Sequence, residues 1–423
     1  MFIAIAVFLV SYLFIITEKI NRTAIALLGG TVILITGTLT QEEAIHYIDW
    51  NTLGLLLGMM IIVDLTKHSG LFEYLALKAV HLTRANPIAL LIVLGLITAF
   101  LSAILDNVTT VLLIVPVALT ITRALNISPY PFLINQILMS NIGGTATLIG
   151  DPPNIMIGSQ THLGFIDFLI NLSPVVLVIL IVTSTIFYFL FRKSFAVDDK
   201  LKQNLLALDP KDKITDYLLL KKSLIIIALT ILGFSLHQLF HLESATVALF
   251  MAMVFLAISG KDIEHVLLGV EWPTIFFFLG LFIMVGALEE TGVIHKIAVW
   301  GLELTKGNVY LTGVFILWVS AIASAFIDNI PFVATMIPLI KTMGNLAAFS
   351  PEVMESFWWS LALGACLGGN GTIIGASANV IVAGIAEKEG YPISYGRYFV
   401  YGFPLMLLSI IISMVYLTLF YFM

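Results

Sequence analysis

Hydrophobic positions along the chain fall in long blocks, among them 2–17, 86–105, 165–191 and 396–423. A helix needs roughly 20 mostly apolar residues to cross a bilayer, and about ten to a dozen such blocks can be drawn here. The pattern predicts an all-α polytopic membrane protein. Spans are expected near 2–17, 23–39, 50–66, 130–160 and 165–191, and again near 222–239, 244–259, 273–288, 356–386 and 398–422. Two further apolar pairs do not fit single crossings. Stretches 86–105 and 107–124 meet at Asp106-Asn107 with no hydrophilic loop, and 308–343 repeats the arrangement around Asp328-Asn329. Such pairs read as re-entrant hairpins, 86–124 and 308–343, a backbone course tolerated where it is buried in protein or lines a wet cavity.

Composition narrows the class. Of 423 residues, 60% are hydrophobic and 11% charged, against about a quarter charged in ordinary soluble proteins. A soluble enzyme, a nucleic-acid binder and a disordered chain are excluded. Net charge is −6, too mild to imply a polyanionic partner. One cysteine, Cys366, allows neither an internal disulfide nor a cysteine-based metal cluster. The N-terminus lacks the basic leader of a secretory signal, so it is expected to remain as the first span.

Charge also orients the chain. With both termini outside, cytoplasmic loops hold Lys19, Arg22, Lys67, Lys78, Arg84, Arg123, the cluster from Arg192 to Lys222, Lys261, Lys388 and Arg397. Only Lys296, Lys306 and Lys341 fall outside, the skew that the positive-inside rule expects. The hydrophilic stretch 192–221 then becomes a cytoplasmic linker between two halves, 1–191 and 222–423.

The halves resemble each other. Trp50 and Thr52 recur 222 residues on as Trp272 and Thr274, and Gly58 and Gly70 as Gly280 and Gly292. Asp106-Asn107-Val108 returns at the same offset as Asp328-Asn329-Ile330, and Pro116 as Pro338. The segment from Gly143 to Asn154 returns 225 residues later as Gly368 to Asn379. Each half contains five crossings, an odd number, so the second must enter the membrane from the opposite side. Inverted-topology repeats of this kind are the architecture of secondary transporters, whose sites lie where broken helices meet near the midplane. The breaks are visible: Gly143-Gly144, Pro152-Pro153 and the glycine run 368–371 cannot continue a helix, each interior Gly costing about 1 kcal/mol and each Pro about 3.

The breaks and tips expose backbone polar groups and add Asp106, Asn107, Thr109, Thr110, Thr145, Thr147, Asp151 and Asn154 from the first half. The second half adds Asp328, Asn329, Asn370, Thr372, Ser377 and Asn379. An ionisable side chain inside the membrane is a functional candidate by default. Asp106, Asp151 and Asp328 qualify, either as proton carriers or, with Thr, Asn and carbonyl oxygens, as ligands for Na⁺ near Asn107, Thr147, Asn329 and Thr372. Capping the following helix is the other role open to each, and Pro152 after Asp151 fits a plain cap. Asp64 reads as interfacial beside Lys67 and His68. His237 and His241 read as surface histidines, Cys366 as a small packing residue, and Phe276-Phe277-Phe278 and Trp358-Trp359 as lipid-facing or interfacial.

With these motifs in hand, together with Gly364-Ala365-Cys366-Leu367, the chain resembles the ion transporter superfamily. It looks most like the ArsB/NhaD permease branch, closest to its P protein-like and arsenite permease-like members. The resemblance implies a scaffold, a transport unit with two opposed hairpins and two unwound helices, elevator-type motion and, in many relatives, a homodimer. More distant dicarboxylate/Na⁺ symporters place serine where this chain has Asp106 and Asp328. The extra negative charge argues against di- and tricarboxylates and for a small cation or a neutral metalloid. The expectation is therefore a proton- or sodium-coupled carrier in the inner or plasma membrane, exporting arsenite or antimonite. A Na⁺-coupled carrier of citrate, dicarboxylate or inorganic anions, and a Na⁺/H⁺ antiporter, are the alternatives, with an anion channel as another class. No nucleophile–base pair, metal triad or phosphate loop points to an enzyme, and no cofactor is implied.

Overall fold

The computed structural model describes residues 1–17 and 20–423; Lys19, counted above among the cytoplasmic basic residues, lies outside them. The first half opens with α1 (Phe2–Thr17), α2 (Arg22–Ile35), the short α3 (Gln41–Tyr47) and α4 (Trp50–Lys67). It continues with α5 (Leu71–Leu82), α6 (Pro87–Ile104), α7 (Asn107–Ala124), α8 (Tyr130–Gly144), α9 (Pro152–Ser159) and α10 (Phe165–Phe191). After α11 (Asp199–Leu206) the same order returns, as α12 (Tyr217–Leu236), α13 (Ser244–Ser259), α14 (Ile263–Leu268) and α15 (Trp272–Glu290). It closes with α16 (Val293–Thr305), α17 (Val309–Phe326), α18 (Asn329–Ala347), α19 (Pro351–Gly368), α20 (Ser377–Lys388) and α21 (Tyr395–Phe420).

The protein is an all-α polytopic membrane protein. Among the described residues nine helices are long and apolar enough to cross a bilayer, and α1, α2 and α13 are shorter apolar helices. The short helices α3, α5, α14 and α16 are additions to the expected spans. Gly70 and Gly292, matched in the sequence, both precede a helix with positive φ (+79° and +75°). That conformation is open to glycine and costly for other residues, which explains why both positions are glycine.

Equivalent residues of the two halves exchange partners. A Cβ on Gly58 of α4 would stand 2.6 Å from the backbone of Ala248 in α13. A Cβ on Gly280 of α15 would stand 2.3 Å from the backbone of Ala26 in α2. Glycine at both crossings lets the backbones touch, the usual device of helix packing in membranes. Gly286 and Gly269 repeat the exchange with side chains: the ring of Tyr47 fills the space over Gly286, and the carboxylate of Asp64 the space over Gly269. Asp64 is thereby half-buried, 3.9 Å from His68.

Other side chains lie deeper than the sequence suggests. Trp358 and Trp359 are buried rather than lipid-facing, Trp359 edge-on to Phe168 with centroids 5.1 Å apart, because α19 packs inside the bundle. Phe277 and Phe278 are buried as well, leaving Phe276 exposed. His237 is buried at the end of α12, its Nε2 3.2 Å from the Ser244 hydroxyl. Segment 192–221 is docked on the first half: Thr215 donates its N–H to Ser69 and its hydroxyl to the His68 carbonyl, and His81 meets the Leu208 carbonyl.

Candidate functional site

Glycine sets the first break. A Cβ on Gly143 would lie 2.1 Å from the Ala99 carbonyl oxygen, so only glycine lets α8 press on α6. Gly368 meets Ala321 of α17 in the same way. Past Gly144 the chain leaves the helix until Pro152, and past Gly368 it runs through two short 3₁₀ turns until Ser377. Freed backbone groups must find partners, and side chains supply them. Asn154 donates to the carbonyls of Thr145 and Thr147, and Asn379 to those of Gly369 and Thr372. Thr147 and Thr372 donate their hydroxyls to Ala103 and Ala325, at the ends of α6 and α17. Ser102 and Ser324 tie the same helices to the carbonyls of Ser140 and Ala365. Each break is thus stitched to the end of the helix that leads into Asp106 or Asp328.

Cross-links between the halves run through amides. Asn107, at the first tip, donates to Asn141 at 3.1 Å. Asn141 donates in turn to Asn370 and Asn379, both at 2.9 Å. Its counterpart 225 residues on is Cys366, whose thiol faces Asn154 at 3.5 Å. Asn329, at the second tip, donates to both oxygens of Asp151 at 3.2 and 3.3 Å. All these groups are buried.

The three aspartates differ in role. Asp106 caps α7, accepting from the Thr109 N–H at 2.7 Å and from its hydroxyl at 2.5 Å. Asp328 caps α18 through the Ile330 N–H at 3.0 Å. Asp151 precedes α9 but makes no side-chain cap, so its carboxylate is free for Asn329. The Asp151 carboxylate lies near enough to Asp328 and Asp106 to feel their charge. Thr110, also buried, has a hydroxyl with no hydrogen-bond partner among the described residues.

Four groups at the site stand outside the sequence expectations. Arg22 reads as a loop residue, yet its guanidinium reaches Asp328 at 2.9 Å and Ser377 at 2.6 Å. No sequence signal announces a contact between residues 306 apart. Glu271, ahead of α15, is close enough to Asp106 and Arg22 to interact through its charge. Asn141 had a signal: α8 is buried along its whole length yet carries Asn135, Gln136, Ser140 and Asn141, too polar for plain packing. Cys366, which reads as packing, belongs to the same network.

The family model described as citrate transporter matches residues 12–364. The chain belongs to that family. It is 42% identical to an uncharacterized transporter of Mycobacterium tuberculosis over 99% of both chains. It is 41% identical to a 46 kDa membrane protein of Mycobacterium leprae, over 99% of this chain and 98% of that one. The human P protein is 34% identical across 98% of this chain and 59% of its own length. Among solved structures, the Alcanivorax borkumensis YdaH transporter aligns with a TM-score of 0.56 at 14% identity, over 89% of this chain and 86% of that one, a likeness of fold. This member of the citrate transporter family is a multi-pass membrane transport protein and not an enzyme.

Two expectations fall here. Membership in the citrate transporter family replaces the ArsB/NhaD assignment, and with it the arsenite and antimonite reading. The metalloid argument rested on unneutralised tip aspartates repelling carboxylates; Arg22 neutralises Asp328, and that premise fails at the second tip.

Proposed function

We propose that this chain is a secondary carrier of a small carboxylate anion of the citrate class, driven by a Na⁺ gradient. The observation that carries the reading is the joining of both helix breaks and both hairpin tips by one buried polar network, with an arginine at its edge. Broken helices at the midplane are where carriers hold substrate and ion, and a guanidinium is the side chain best matched to a carboxylate. Membership in the citrate transporter family supports a substrate of the citrate class.

In this reading the halves 1–191 and 222–423 are inverted repeats joined by a cytoplasmic linker, 192–221, with both termini outside. Hairpins 86–124 and 308–343 enter from opposite faces. The exchanged partners of Gly58 with Ala248 and Gly280 with Ala26 support it, since a two-fold relation between repeats requires such swaps. The transport unit, made of the hairpins and broken helices, moves as an elevator against the remaining helices, in a homodimer. Asn107, Thr147, Asn329 and Thr372, with Asp151, offer the hard oxygens that suit Na⁺. The other residues named at the tips and breaks hold the backbone open around it.

Uptake of labelled citrate into proteoliposomes under an inward Na⁺ gradient tests this. Concentrative uptake that collapses when K⁺ replaces Na⁺ is expected. Uptake driven equally by a pH gradient in K⁺ would replace Na⁺ by H⁺. No movement of citrate, succinate or malate under any gradient would overturn the substrate class.

A further inference from the structure

Arg22 opens α2, whose packing partner is α15, and its guanidinium lies 5.2 Å from the ring centroid of buried Phe277 in α15. The Thr23 hydroxyl, bonded to the Pro273 carbonyl at 2.8 Å, fixes the same end of α2 to α15. The arginine is therefore held by helices outside the hairpins and breaks, and it reaches across to them. There it meets a closed triangle: Arg22 donates to Asp328 and to the Ser377 hydroxyl, and that hydroxyl donates to the same Asp328 oxygen at 2.8 Å. The other Asp328 oxygen caps α18. Side-chain exposure is 31% for Arg22 and 11% for Asp328, and a cavity of about 240 Å³ lined by Asn21, Arg22, Ser377 and Val380 opens beside the pair.

This division of labour within one carboxylate is informative. Among the described residues Oδ1 serves the fold and Oδ2 serves Arg22 and Ser377 alone, so Oδ2 can be replaced by another carboxylate oxygen without uncapping the helix. We propose that Asp328 is an internal stand-in for a carboxylate of the transported anion. The anion enters by the adjoining cavity, displaces Oδ2 from Arg22 and Ser377, and in doing so breaks the link between α2 and the tip of α18. Arg22 is thus the residue that selects for carboxylate, and its release from Asp328 couples occupancy to freedom of the tip. The inference rests on the carboxylate-carrier reading above.

A competing internal ligand makes an unusual prediction, because its removal should improve binding. Citrate uptake kinetics in proteoliposomes are compared for the wild-type chain, Asp328→Asn, Asp328→Ser and Arg22→Ala. Asn and Ser both keep a cap for α18, so one variant stands in if the other misfolds. Both should lower KM, on the order of tenfold for the loss of one charge-assisted contact, while Arg22→Ala should raise KM by a similar factor. Arg22→Lys should recover only part of the loss, since an ammonium lacks the planar fork. If the ion pair is merely an anchor, Asp328→Asn and Arg22→Ala will shift KM or thermal stability in the same direction, and the proposal is wrong while the carrier reading stands. Should the wild-type chain move no carboxylate at all, both are overturned together.

Discussion

The amide nitrogen of Asn141 lies 2.9 Å from the amide oxygen of Asn379, joining the break in one half of the chain to the break in the other. The orientation is forced. Asn379 already uses its own amide nitrogen on the carbonyls of Gly369 and Thr372, so only its oxygen can face Asn141.

Asn141 is therefore the residue whose loss reaches furthest. Asn141→Leu preserves size but strands the amides of Asn107, Asn370 and Asn379 in a buried setting. An unsatisfied buried polar group costs about 1–3 kcal/mol, so a loss of roughly 3 kcal/mol is expected after partial rearrangement. Asn141→Asp should do no better, because a carboxylate cannot donate to Asn370 and Asn379. Thermal unfolding in detergent measures the first effect and citrate uptake the second; an unaltered melting curve for Asn141→Leu would remove Asn141 from the network.

The paired glycines give a sharper steric test. Gly58→Ala and Gly280→Ala each push a methyl into backbone on the facing helix, where no side chain can turn aside. Overpacking of this kind costs typically 1–3 kcal/mol. Gly384→Ala, also in a helix but with nothing within 4 Å of the added atom, should gain up to about 1 kcal/mol from helix propensity. Opposite shifts in melting temperature are the expected result.

Much of this was legible in the chain. Long apolar blocks mark the helices because a bilayer demands them, and the glycine and proline runs mark the breaks because they weaken a helix, α8 ending at Gly144 and α9 starting at Pro152. What stayed hidden were contacts between distant residues. Arg22 to Asp328 spans 306 positions, and a charge count assigned that arginine to a loop because charge counts see only the nearest span. Asp64 has no acidic counterpart at Gly286 because Tyr47 occupies the matching space, a substitution in three dimensions that an alignment of halves shows as a mismatch. Trp359 reads as interfacial in the sequence for a similar reason: aromatic residues near span ends favour the interface only when the helix faces lipid, and α19 does not.

Gly70 and Gly292 separate strain from contact. Both have positive φ, so either Ala variant should lose about 1–2 kcal/mol from the backbone alone. Around Gly292 there is nothing within 4 Å, whereas a Cβ on Gly70 would lie 1.9 Å from the Lys213 carbonyl oxygen. Gly70→Ala should therefore also lift segment 210–215 from its seat, and limited proteolysis should cut there faster than in Gly292→Ala. Equal cleavage of the two variants would show that the segment does not depend on this seat.

Asp151 offers a test of the coupling ion. Its carboxylate is fully buried, makes no helix cap, and accepts from Asn329 at the start of α18; a charge so placed costs several kcal/mol unless a counter-charge visits it. The carboxamide of Asp151→Asn can still accept from Asn329, so the hydrogen bond and the fold should survive while the charge is lost. If Na⁺ is the visitor, stimulation of citrate uptake by Na⁺ should fall at least tenfold, equal to about 1.4 kcal/mol, while Na⁺-independent exchange of internal for external citrate persists. Asn329→Ala, which leaves the charge but removes its holder, should instead keep Na⁺ activation at a higher Na⁺ concentration. Retention of full Na⁺ dependence in Asp151→Asn would move the ion to the oxygens of Thr147 and Thr372 and leave Asp151 a structural role.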